Sequence, residues 1–142
     1  MRIPVAAFAV VVACGASFHV FAQTTGPTNP PLVIRSLVGR ELFEFYCTSC
    51  HGRDGKGSGP VASALKVPPP DLTTLARRND GAFPARRVED FVTNGGDAPT
   101  PAHGSSEMPI WGPVFRALES SDGHVRVRIA NIVAYIQSIQ VR

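Results

Sequence analysis

The sequence predicts an all-α fold, on three observations. No stretch alternates apolar and polar residues with the period of two that a half-buried strand needs. Two stretches, 36–46 and 122–139, instead repeat apolar residues at helical spacing. Between them lie loops dense in glycine and proline, which cut the chain into short elements. At 142 residues there is room for one domain.

The chain opens with Met1-Arg2 and an apolar run from Ile3 to about Val12, continuing more weakly to Phe21. Val20-Phe21-Ala22 offers small or medium residues where a signal peptidase reads, and Gln23 follows. Residues 1–22 therefore read as a secretory signal peptide, which directs the chain to the periplasm. A membrane-anchor helix would need a longer run than this one, which Gly15, Ser17 and His19 interrupt. A second reading stays open at Val11-Val12-Ala13-Cys14-Gly15, which looks like a lipoprotein lipobox. Cleavage there would leave Cys14 lipidated and the protein tethered to a membrane. Residues 23–35 (QTTGPTNPPLVIR) read as a linker, and residues 36–142 as the folded domain.

The formal charge is +3. Without Arg2 the balance is 13 basic against 11 acidic residues, and no Lys/Arg run forms a nucleic-acid patch. Of three cysteines, Cys14 lies in the export segment, so a disulfide framework is excluded. The two that remain must serve another chemistry.

They sit at Cys47-Thr48-Ser49-Cys50-His51. The helix predicted from Ser36, a candidate cap, to Tyr46 delivers the chain to Cys47. Thiols three residues apart face one way on a helical turn and can add to the two vinyl groups of one porphyrin. His51 can then place an imidazole nitrogen on the iron. C-x-x-C-H is the attachment signature of a c-type haem. Such a pair also occurs as a redox dithiol or as half of a zinc site. The dithiol calls for a preceding strand, and zinc for a second ligand pair that His19, His103 and His124 do not form.

Gly52 to Pro60 holds four glycines and reads as a tight loop, followed by a short helical turn over 61–65. Val67-Pro68-Pro69-Pro70-Asp71 cannot be regular helix. Residues 72–78 read as a short helix, and a second begins with Pro84 as its first residue and ends at Asn94-Gly95-Gly96. Arg77, Arg78, Arg86 and Arg87 form the one local basic cluster, read as a solvated face or a docking patch for an acidic partner. Residues 97–106 are an irregular loop leading to Met108-Pro109-Ile110-Trp111-Gly112. Met108 is the one methionine outside the export segment. A thioether is the usual sixth ligand of electron-transfer haems. His103 is the rival, and His124 is expected at the surface. The last helix, 122–139, carries Ile129, Ile132, Val133, Ile136 and Ile139 as its stripe, with Arg126, Arg128 and Gln137 placed off it and caps offered by Ser120, Ser121 and Asp122.

Taken in this order, C-x-x-C-H, the glycine loop, the proline loop, Met-Pro and a C-terminal amphipathic helix resemble the class I, single-haem cytochromes c over residues 36 to 140. The resemblance implies first and last helices crossing around one covalently bound haem c, with Gly39 and Phe43 at the crossing and Tyr135 near Phe43. It implies thioethers at Cys47 and Cys50 and iron ligation by His51 and Met108. It also implies a proline carbonyl, Pro69 or Pro70, accepting from His51. The Trp111 N–H would seek a partner when buried, a haem propionate being one candidate. The expected protein is a monomeric electron carrier and not an enzyme, working between a redox donor and a redox acceptor. Two alternatives remain: a haem subunit fixed to a periplasmic dehydrogenase or oxidase complex, or a haem enzyme or gas sensor with an open sixth position.

Overall fold

The computed structural model describes residues 34–95, 108–119 and 121–141. The signal-peptide and lipobox readings, the linker before residue 34, the irregular loop and His103 lie outside the described residues. Every regular element among the described residues is helical, as expected: α1 (Gly39–Tyr46), α2 (Thr48–His51), α3 (Ala85–Asn94), α4 (Trp111–Leu118) and α5 (Asp122–Ser138).

The framework is the crossing of α1 over α5. A side chain on Gly39 would run into the backbone carbonyl of Asn131, so only glycine lets the two helices meet there. The Asn131 amide donates to the Leu37 carbonyl at 2.6 Å, and Phe43 packs on Tyr135 with ring centroids 5.2 Å apart. Both features match expectation. Ser36 does not cap α1: the helix starts later, with Val38 at the cap position. Its hydroxyl accepts from the Val38 N–H at 3.0 Å, while Asn131 draws the Leu37 carbonyl out to α5. Ser121 caps α5, accepting from the Gly123 N–H. Pro84 precedes the first residue of α3, and Gly95 ends that helix at φ 83°.

Leu42, Phe43 and Tyr46 of α1, Val92 of α3, Phe115 of α4 and Val125, Ile129, Ile132, Val133 and Ile136 of α5 form one core. Arg128 lies with them, only 3% exposed, and not off the stripe as expected. Its position follows from the period, since 125, 128, 129, 132, 133 and 136 all fall on one helical face. The guanidinium is satisfied there: Nε donates to Glu119 Oε1 at 2.5 Å, Nη1 to the Ser36 carbonyl at 3.2 Å and Nη2 to the Ile34 carbonyl at 2.7 Å. It straps the approach to α1 onto α5. Arg128→Met leaves Glu119 and two carbonyls without their donor. The expected cost is about 3 kcal/mol, read as a lower denaturation midpoint of the haem-loaded protein.

Residues 72–78 form no α-helix but two 3-10 turns, Leu72–Thr74 and Arg77–Asn79. The reason is tertiary. An α-helix here would pair the Ala76 N–H with the Leu72 carbonyl. The Gln140 side chain takes both: its Oε1 accepts from Ala76 at 2.8 Å, and its Nε2 donates to Leu72 at 2.7 Å. The turn expected over 61–65 is a 3-10 turn at Ala62–Ala64.

Candidate haem site

The chain leaves α1 through Cys47, whose N–H donates to the Phe43 carbonyl at 2.9 Å. The Cys47 carbonyl receives the His51 N–H at 2.9 Å, so α2 adds one turn to the same spiral. Thr48 Oγ1 closes the joint by donating to the Glu44 carbonyl at 2.6 Å. This places both thiols on one side of the turn, joined neither to each other nor to another cysteine.

A helix this short exposes all its C-terminal carbonyls, and the glycine loop, with Val61 just after it, answers each one. Gly52 N–H donates to Thr48 (2.9 Å), Val61 to Ser49 (3.0 Å), Gly59 to Cys50 (3.0 Å) and Gly57 to His51 (2.8 Å). The loop can come this close because it lacks side chains. A Cβ on Gly59 would strike the Ser49 carbonyl, and one on Gly57 would strike the Pro69 carbonyl. Gly57 thus seats the proline loop beside His51.

The imidazole of His51 is 7% exposed. Burial lowers its pKa, and the Pro70 carbonyl pulls weakly the other way. The ring is therefore neutral at physiological pH, the form that ligates a metal. Its Nδ1 has no partner at full hydrogen-bond geometry. The Pro70 carbonyl is thus placed to influence the ring but stands outside a formed bond. Pro70 and not Pro69 is the acceptor beside the ring, since the Pro69 carbonyl is turned to Gly57. Burial, then the neighbouring Cys50, pushes the Cys47 thiol up to about 12, although part of the residue still meets solvent. Reactive redox dithiols have lowered values, so this environment disfavours the dithiol reading. No three His, Cys, Asp or Glu side chains gather around one point among the described residues, so these residues build no zinc site of the usual kind.

Met108 is half-buried and packs against the core three residues before α4. The expectations assign no helix to 111–118. Trp111, Phe115 and Leu118 are spaced i, i+4 and i+7, a signal that Gly112-Pro113 obscures. Pro113 is tolerated because it lies in the first turn, where its missing N–H costs nothing. Trp111 stacks on Phe115 at 5.5 Å, and both meet Tyr46 edge-on, at 5.3 and 5.0 Å. Tyr46 immediately precedes Cys47. One aromatic cluster therefore ties the attachment turn to the helix that follows Met108. His124, as expected, lies at the surface, 61% exposed and 3.7 Å from Glu119. Arg78 leaves the basic cluster to donate to the Asp71 carbonyl at 2.5 Å, while Arg77, Arg86 and Arg87 are exposed.

Asp71 closes the proline loop, its carboxylate accepting from Thr73 N–H at 2.8 Å and Thr73 Oγ1 at 2.6 Å. The Thr73 hydroxyl is the main reason its pKa falls below the ordinary 3.8. A lowered carboxyl stabilises the fold above its unfolded value, and that stability is lost as pH falls through the lowered one. The stability gap between wild type and Asp71→Ala should therefore be full above about pH 4 and close on further acidification. Denaturation midpoints measured from pH 6 to pH 2 read it directly.

The residues fit the group their motif implies: two free thiols on one turn, a buried neutral imidazole beside them, and a half-buried thioether on the segment joined to that turn by aromatic packing. Fold and motif together define a class I type of c-type cytochrome. Residues 37–117, more than half the chain, match the family model described as Cytochrome C oxidase, cbb3-type, subunit III, and the chain belongs to that family. Neither the curated proteins nor the solved structures contain a match. The cofactor is a covalently bound c-type haem, and Cys47, Cys50 and His51 have the spacing of its attachment motif. The class is one of electron transfer, and its members are typically exported or membrane-associated. No helix among the described residues is long and apolar enough to cross a membrane.

Proposed function

We propose that this chain is a periplasmic single-electron carrier with one haem, ligated by His51 and Met108. The observation that carries the reading is the His51 environment: a buried imidazole held neutral, on the same turn as two free thiols. The haem supplies one-electron exchange between Fe(III) and Fe(II). Cys47 and Cys50 hold it through thioethers, so it is not lost outside the cytoplasm. His51 would present one ring nitrogen to the iron and keep the other toward Pro70. Met108 would supply a thioether as the second iron ligand, which would leave no open position for a substrate and raise the potential. Cys47 and Cys50 would hold the haem where a donor and then an acceptor could reach it during brief docking. The near-balanced charge favours weak steering and modest salt dependence.

Export follows from residues 1–22, with cleavage after Ala22; lipidation at Cys14 would instead hold the carrier on a membrane. The family match favours a second reading, a haem subunit held permanently in an oxidase complex. Such a subunit would purify in fixed ratio with its partners, whereas a free carrier would purify alone.

The deciding experiment is the optical spectrum of the oxidised and reduced protein, repeated on Met108→Ala. A far-red sulfur-to-iron band is expected in the oxidised wild type and should vanish in the variant. A wild type lacking that band and binding carbon monoxide when reduced would overturn Met108 ligation and the carrier role with it.

A further inference from the structure

We infer that Gln140, just beyond α5, is a positioning residue for the proximal histidine. The inference rests on the reading that His51 ligates the haem iron. Gln140 is in neither the attachment motif nor the distal segment. Its side-chain amide is nevertheless fully used. Nε2 donates to the Leu72 carbonyl at 2.7 Å and to the Ile136 carbonyl at 2.8 Å, and Oε1 accepts from the Ala76 N–H at 2.8 Å. The next residue adds a fourth tie, Val141 N–H to the Thr73 carbonyl at 2.8 Å.

The first and third of these bonds take the two groups that would otherwise close an α-helical turn from Leu72 to Ala76. Gln140 thus keeps that turn open and fixes Leu72 against the end of α5. Leu72 is also held from its other side, where its N–H donates to the Gly55 carbonyl at 2.8 Å. Gly55 belongs to the loop that returns from His51. Pro70 therefore lies between two fixed points: Gly57, where an added Cβ would come within 3.3 Å of the Pro70 carbonyl oxygen, and Leu72, two residues on. Arg78 pins the intervening Asp71 carbonyl at 2.5 Å.

The consequence falls on the one buried side-chain polar atom left without a hydrogen bond among the described residues, His51 Nδ1. The carbonyl beside it, that of Pro70, has its place set at Leu72, and Leu72 is set by Gln140. A hydrogen bond from the distal ring nitrogen makes an axial imidazole a stronger donor to its metal. If the clamp is released, the Pro70 carbonyl drifts, the imidazole becomes a weaker donor and the oxidised iron is less favoured.

The test uses the haem-loaded protein with three substitutions. Gln140→Met removes all three side-chain bonds at similar volume. Arg78→Gln loosens the same loop from its exposed side and keeps the fold if Gln140→Met does not. Asn131→Ala is a control that cuts a hydrogen bond at the α1–α5 crossing, away from this loop. Two quantities are read: the redox equilibrium against a fixed mediator, and the His51 ring-proton resonances of the reduced, diamagnetic form. Gln140→Met should shift the equilibrium toward the reduced form by roughly two- to tenfold. It should also move the Nδ1–H resonance and speed its exchange with water. Arg78→Gln should do the same more weakly, and Asn131→Ala should lower thermal stability alone. Loss of stability in Gln140→Met with both readouts unmoved would overturn the inference and leave His51 ligation intact. Absence of the large upfield shifts of an axial histidine in the wild type would overturn both.

Discussion

Replacing Cys47 and Cys50 together by serine should abolish covalent haem. Expressed with the c-type maturation machinery and run on a denaturing gel, the wild-type chain should stain for haem peroxidase activity, and the double variant should not. The effect is all-or-none, because serine hydroxyls do not form thioethers and no other cysteine lies in residues 23–142. Cys50→Ser alone leaves one attachment, so a fainter haem band is expected. The damage extends beyond the cofactor. Cys47 packs on the core beside Tyr46, and haem bound at this turn adds to what is a modest hydrophobic cluster. The double variant should therefore also lose its cooperative unfolding transition. A haem-stained band of undiminished strength in the double variant would remove Cys47 and Cys50 from the site.

The second large effect is expected at Gly39. Gly39→Val should cost more than about 4 kcal/mol, because the new side chain would meet the carbonyl of Asn131 and not a flexible neighbour. Relief requires α1 and α5 to move apart, which uncovers Phe43 and Ile132, both buried almost completely. Gly81→Ala is the matched control. Gly81 has φ +84° but open space around it, so only backbone strain is felt, about 1 kcal/mol. Guanidinium unfolding of the two haem-loaded variants separates close approach from strain. Equal costs would show that the crossing tolerates a wider separation.

The hydrophobic period of the last helix predicted its limits to within a residue, and the family resemblance put Gly39 where the first and last helices cross. C-x-x-C-H was legible because thioether chemistry demands a local spacing that no other contact can supply. The departures share one cause. Arg128 reads as a surface residue by type, but it can stay on the buried face its helical position gives it because Glu119 and the Ser36 and Ile34 carbonyls converge on it from distant positions. Residues 72–78 have helical propensity, yet a side chain 64 positions away from Ala76 takes its N–H. Helix α4 was hidden by Gly112-Pro113, and its place is set by the rings of Tyr46, Trp111 and Phe115.

By itself, then, the order of residues determined the helical class, the cofactor and the attachment turn, since these depend on periodicity and on spacings of a few bonds. Tertiary structure alone decided which proline carbonyl stands beside His51, how a buried guanidinium is satisfied, and why the chain after the proline loop stays out of an α-helix. Those outcomes depend on groups brought together across dozens of residues. Hydrogen bonds are short and directional, so only the folded chain can specify them.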